Sequence, residues 1–263
     1  MVRYASEGER TVEVAINSRL HTLAWLTEGR YRTGDWDGAV DTYTTVIGLL
    51  GDRRDDPPYF VYTAFGSMAL IHTFRGERAE SDRLIDLLLR VEAAAGDTAR
   101  RIWPYVNRIL VARGAVEEAW ARFQHPPTGW RIAGACHLEA MCEWVPIADR
   151  WDRADDIVAE VRQAADDGDL VGVRLFADRL AGLWRCHDGD TEAGVEILAR
   201  TRNGFLEHGA TWEAARTDVA IAETLSDTAL DDEQRDRLAN AVDLFERLGS
   251  VAELRRARAA PSS

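Results

Sequence analysis

Apolar residues recur along the chain at three- and four-residue intervals. The clearest stripe is Trp36, Ala39, Val40, Tyr43, Val46, Ile47 and Leu50, one face of an amphipathic helix. Asp35 stands just before it as an N-cap, and Gly51 just after it as a stop. Leu238, Ala241, Val242, Phe245 and Leu248 repeat the pattern and are closed by Gly249. Gly194, Ile197, Leu198, Thr201 and Phe205 do so less purely. No convincing period-two alternation is bounded by turn residues, so the pattern predicts helices and no sheet. Segments 52–58, 96–98, 124–129 and 166–169 read as loops between helices. Pro104 fits the first turn of a helix starting at Trp103 rather than Thr98. Pro146 lies inside a helical run and should kink it or end it early.

The loops carry a repeat. Gly34 is followed five residues on by Ala39, Gly76 by Ser81, Gly114 by Ala119 and Gly189 by Gly194, and Asp149 and Ala154 form a degenerate copy. Four residues beyond each small residue stands a bulky one: Tyr43, Ile85, Phe123, Val158 and Leu198, with Ala241 and Phe245 as a sixth pair. A glycine turns the chain between antiparallel helices, the small residue lets them approach, and the bulky one fills the gap. The small positions recur about every 40 residues, a spacing within the range of helical-pair arrays.

This Gly-x4-small-x3-bulky core resembles the tetratricopeptide repeat, and Leu26 and Tyr31 fall near that family's apolar and aromatic positions in the first helix. The resemblance runs from about Leu20 to Leu248. The repeat is longer than the family's, the Trp–Leu–Gly opening is mostly missing and no closing proline is regular. It implies an all-α fold, an α-α superhelix of about six helix pairs. The chain then reads as one domain, 1–263, with repeats at 20–53, 58–95, 98–125, 129–166, 168–208 and 211–249 and a capping helix at 250–260. The degenerate spacing is similar to the C-terminal arrays of bacterial LuxR-type regulators and AAA–nucleotide-cyclase fusions. The stretch Asp243-Leu-Phe-Glu-Arg-Leu-Gly-Ser-Val-Ala-Glu-Leu-Arg-Arg-Ala-Arg is similar to how those arrays finish. No phosphate-binding loop precedes it and no helix-turn-helix follows, so the resemblance implies the sensor-scaffold part alone. Pro261-Ser-Ser argues mildly for a true C-terminus.

Composition narrows the partners. The 263 residues are 46% hydrophobic and 29% charged, enough for a sizeable core or a long array. The net charge of −13 argues against nucleic acid or an anionic membrane as a whole-chain partner. Three cysteines make no disulfide framework, which points to a reducing compartment and a cytoplasmic location. The polar first ten residues hold no signal core, and no apolar run is long enough to span a membrane. All 32 basic residues are arginine.

No cofactor, metal or catalytic set is expected. Cys136, His137 and Cys142 bring soft ligands together in sequence, but Cys136 and Cys142 point apart on a helix and read as packing residues. Cys186, His187 and Asp188 are adjacent beside the Gly189 turn and read as a helix end. The aspartates at 166–169 and 188–190 lack the register of a calcium loop and read as capped turns. The Asp55-Asp56 pair lacks the further aspartate of a magnesium–diphosphate motif, since Tyr59 stands there. Asp231-Asp232-Glu233 reads as a helix start. The nine tryptophans read as packing between helix pairs.

The first helix of each tetratricopeptide-like pair lines the concave face. That numbering gives His21, Glu28, Tyr31, Arg101, Tyr105, Arg108, Glu139, Glu143, Arg179 and His187 as groove positions, or else as an ordinary solvated face. Arg101, Tyr105 and Arg108 suit an acidic peptide or a carboxylate. The family's chaperone-tail clamp uses lysines, which this chain lacks. The leading expectation is a non-enzymatic scaffold for a protein or peptide in bacterial signalling or transcriptional regulation, with self-association through end repeats open. One alternative is a small-molecule sensor enclosing its ligand near Trp103, Tyr105 and Trp144. Another is a helical enzyme with a cleft site.

Overall fold

The computed structural model describes residues 2–95, 103–124, 131–225 and 230–260. Among these the chain is all-helical, with no strand. The α-helices are α1 (Val2–Thr33), α2 (Trp36–Leu50), α3 (Tyr62–Phe74), α4 (Arg78–Ala95), α5 (Trp103–Ala112), α6 (Val116–Phe123) and α7 (Arg131–Ile147). They continue as α8 (Ala154–Gly168), α9 (Val171–His187), α10 (Thr191–Glu207), α11 (Thr211–Thr224), α12 (Asp232–Leu248) and α13 (Val251–Ala259). No helix among the described residues is long and apolar enough to cross a membrane.

Local chemistry sets the helix ends. The Asp35 carboxylate accepts from the Gly38 amide and opens α2, whose buried face carries Trp36, Ala39, Tyr43, Val46 and Leu50. Asp190 caps α10 in the same way, and Asp231 with Gln234 forms a full capping box on α12. Gly34, Gly76, Gly114, Gly189, Gly209 and Gly249 all have positive φ, and Asp149 takes the same left-handed conformation in the degenerate copy. In each of these turns the next amide donates to the carbonyl five residues back. Asp35 bonds Arg30, Ala115 bonds Leu110 and Arg150 bonds Val145 in this way. That is the Schellman closure, which satisfies carbonyls the helix leaves open. Pro104 lies in the first turn of α5. Pro146 lies in the last turn of α7, where it leaves the Cys142 carbonyl without its helical donor.

Each odd-numbered helix packs against the even-numbered one that follows it. The odd helices also pack on one another in chain order, from α1 on α3 through to α9 on α11, and α11 touches α1. The two ends of the array therefore meet. Trp36 and Phe74 pack against Trp212 with ring centroids 4.7 and 5.2 Å away, and Phe245 lies 5.3 Å from Trp212. Thr211 Oγ1 donates to the Thr33 carbonyl at 2.9 Å, and Arg75 Nε to the Leu248 carbonyl at 2.9 Å. Helix α13 sits on α3 and α11 beside this junction.

Candidate functional site

The inner faces of the odd helices carry charge where a core would normally be apolar. Arg108 is 1% exposed and donates to Glu143 Oε1 and Oε2 and Glu139 Oε2, all at 3.0 Å, and to Glu213 Oε1 at 2.6 Å. Glu139 also accepts from Arg32 Nη1 at 2.6 Å. Glu28 accepts from Arg32 Nε at 2.5 Å, from Tyr105 Oη at 3.1 Å and from the Ser67 hydroxyl. Arg179 Nη1 donates to Glu213 Oε2 at 2.8 Å, and Arg216 binds Glu143, Glu213 and Glu253. Six helices, α1, α5, α7, α9, α11 and α13, thus meet in one largely buried ion network, in which each charge has an oppositely charged partner.

Most of the groove positions expected from sequence converge here. Tyr31, Tyr105, Arg108, Glu139, Glu143 and Arg179 are all buried. Glu28 joins them, whereas His21 and His187 are exposed, the latter stacked on Trp151 at 4.5 Å. Arg101 and the side chain of Trp103 lie outside the described residues. An open concave surface would leave these groups wet. The meeting of the array's ends instead turns them inward and pairs them with one another. The sequence reading missed Arg32, Glu213, Arg216 and Glu253. Glu213 and Arg216 sit in α11, a helix buried on nearly every side. The signal was present as Glu213 and Arg216 one turn apart in a helix rich in small and apolar residues, with Asp218 buried beside them.

Two of the network's carboxylates are held firmly ionised by their guanidinium partners. Burial alone would raise the Glu143 carboxyl, but Arg108 and Arg216 outweigh it and hold it down at about 2. Glu213 is likewise pulled well below the usual carboxylate range against its burial, by Arg216, Arg179 and Arg108. Carboxylates held this firmly ionised are weak bases at neutral pH. Burial pushes the Cys136 and Cys142 thiols up, away from the reactive thiolate. Burial lowers His137 to about 4, leaving a neutral ring on the Asn107 amide at 3.0 Å. No cluster of three or more metal-ligating side chains occurs among the described residues.

Beside the network, at the last turns of the odd helices, lies a cleft of about 470 Å³, within the usual range for small-molecule sites. Its walls are largely apolar, from Phe74, Ile147, Trp151, Phe176, Leu180 and Leu183, and α13 contributes Ala252, Glu253 and Arg256 to one side. Its floor is the edge of the network, Glu143, Arg179 and Arg216. No protein-family model matches the sequence, and no curated protein matches it either.

Proposed function

We propose that this chain is a non-enzymatic, tetratricopeptide-like binding domain that holds a small amphipathic molecule in the cleft at the last turns of its odd helices. In this reading it is the sensor part of a bacterial signalling or transcriptional regulator. The observation that carries the reading is the use of the inner-face charges. A peptide laid on Tyr105 and Arg108 would have to break the bonds they make to Glu28, Glu139, Glu143 and Glu213. Breaking a buried pair costs about 3–5 kcal/mol. The cleft asks for no such rearrangement, because its apolar walls already stand open beside the network.

The test is a fluorescence titration with the neutral apolar probe N-phenylnaphthylamine on the full chain and on Ala252→Trp. Ala252 is exposed on α13 and lines the cleft, so a bulky ring there narrows the site without disturbing the core. Saturable one-to-one binding that weakens at least tenfold in the variant supports the reading. Binding that is absent, or equal in both proteins, overturns it.

A further inference from the structure

The polar groups of the cleft are not evenly used. Every carboxylate oxygen lining it already accepts a guanidinium N–H. Glu143 takes Arg108 and Arg216, Glu223 takes Nε and Nη2 of Arg256, and Glu253 takes Arg216 and Nη1 of Arg256. Donors remain. A guanidinium carries five N–H groups, and Arg179 hydrogen-bonds through Nη1 alone, to the Glu213 carbonyl and Oε2. Its Nη2 lies 3.5 Å from Glu143 Oε1, an ion-pair contact outside hydrogen-bond geometry. Arg216 donates through Nε and Nη1. Nε and Nη2 of Arg179 and Nη2 of Arg216 have no hydrogen-bond partner among the described residues. Both side chains are about nine-tenths buried, 8% and 10% exposed, and both line the cleft.

Resting on the cleft reading, we propose that the ligand is an amphipathic oxyanion. A carboxylate- or phosphate-type head group takes the spare N–H groups of Arg179 and Arg216, and an apolar body lies against Phe176, Leu180, Leu183, Ile147 and Trp151. The formal charges lining the cleft cancel, with Arg179, Arg216 and Arg256 against Glu143, Glu223 and Glu253. Selection for a negative head therefore comes from the unpaired donors, which match an oxyanion in number and shape. The helix C-termini at the mouth do not oppose it. Helix-dipole effects fade beyond the last turn. Arg179 and Arg216 each stand two turns deeper than the ends of α9 and α11. The Arg179 guanidinium lies 4.7 Å from the Phe176 ring and 5.3 Å from the Phe205 ring, two rings that meet edge to face at 5.4 Å and support it from one side.

The test displaces N-phenylnaphthylamine from the wild-type chain with three ligands of one chain length: decanoate, decan-1-ol and decylamine. Decanoate is expected to compete at a concentration at least about tenfold lower than the alcohol or the amine, the margin of one charge-assisted contact. Equal competition by the alcohol, or stronger competition by the amine, overturns the proposal and leaves the cleft reading standing. Failure of the neutral probe to bind at all defeats the cleft reading itself. Arg179→Gln, with its fold checked by circular dichroism, is expected to bring decanoate and the alcohol to within about threefold, since most of the charge-assisted donors are gone. An undiminished decanoate preference in that variant overturns the proposal. If the variant does not fold, the head-group series on the wild type decides alone.

Discussion

The indoles of Trp36 and Trp212 lie with ring centroids 4.7 Å apart, each almost fully buried, although they open the second and the eleventh helix. This contact welds the last helix pair to the first. In an open array each repeat touches only its neighbours, and stability is a sum of local terms. Here removal of one ring should loosen both ends at once. Trp212→Ala is expected to cost about 3–5 kcal/mol in chemical denaturation. Amide exchange should accelerate in α2 as well as in α11 and α12. Acceleration confined to α11 and α12 would show that the ends are energetically independent.

Much of the fold was written in local signals. The turn glycines, the Asp35 and Asp231 caps and the Trp36–Leu50 stripe act over a few residues, and pattern reading reaches that far. The fate of the inner face was not local. Periodicity placed Tyr31, Tyr105, Arg108, Glu139, Glu143 and Arg179 on inward helices, but whether that face is wet depends on the ends meeting. That in turn depends on Trp36 and Trp212, whose contact no local spacing encodes. Glu213 and Arg216 escaped because α11 has no polar stripe to mark a face, and a charge in a helix buried all round has no periodic signature.

Arg108 is the hub of the network, with four hydrogen bonds to three glutamates and almost no exposure. Arg108→Met leaves Glu139, Glu143 and Glu213 facing one another with less positive charge between them. The expected loss is about 3–5 kcal/mol by urea denaturation. Adding Glu143→Met removes the most exposed consequence of the first change, the excess negative charge, and should recover part of that loss. A single variant within 1 kcal/mol of wild type would show that the network contributes little to holding the inner helices together.

Gly194 shows why the small position of the repeat admits a methyl elsewhere and not there. Ala39, Ser81, Ala119, Ala154 and Ala241 carry a Cβ at the corresponding places and are buried. At Gly194 an added Cβ would lie 2.7 Å from the Gly182 carbonyl oxygen and 2.2 Å from Cys186 Sγ. Two glycines facing each other have drawn α9 and α10 together until backbone meets backbone. Gly194→Ala is expected to destabilise by about 1–3 kcal/mol through overpacking, beyond any gain in helix propensity. A melting temperature at or above wild type would mean that the two helices can part at no cost.

Acid should weaken the protein in two overlapping stages, the upper set by buried His137 and the lower by the coupled carboxylates Glu143 and Glu213. His137 is lowered by burial from 6.5 to about 4. The unfolded chain therefore takes up a proton more readily than the folded one, and stability is full above pH 6.5 and falls as the pH drops towards 4. Glu143 is lowered from 4.5 to about 2, because Arg108 and Arg216 overcome its burial. Its contribution is present above pH 4.5 and is lost as the pH falls towards 2. The His137 stage removes at most about 3 kcal/mol. His137→Gln keeps a hydrogen-bonding group for Asn107 and removes the ionisable ring, so it should flatten the stability profile between pH 6.5 and 4 and leave the lower stage intact. Urea denaturation of wild type and variant at half-unit pH steps measures both slopes. Parallel profiles above pH 4 would mean that His137 protonates without opposing the fold, and that water reaches its ring in the native state.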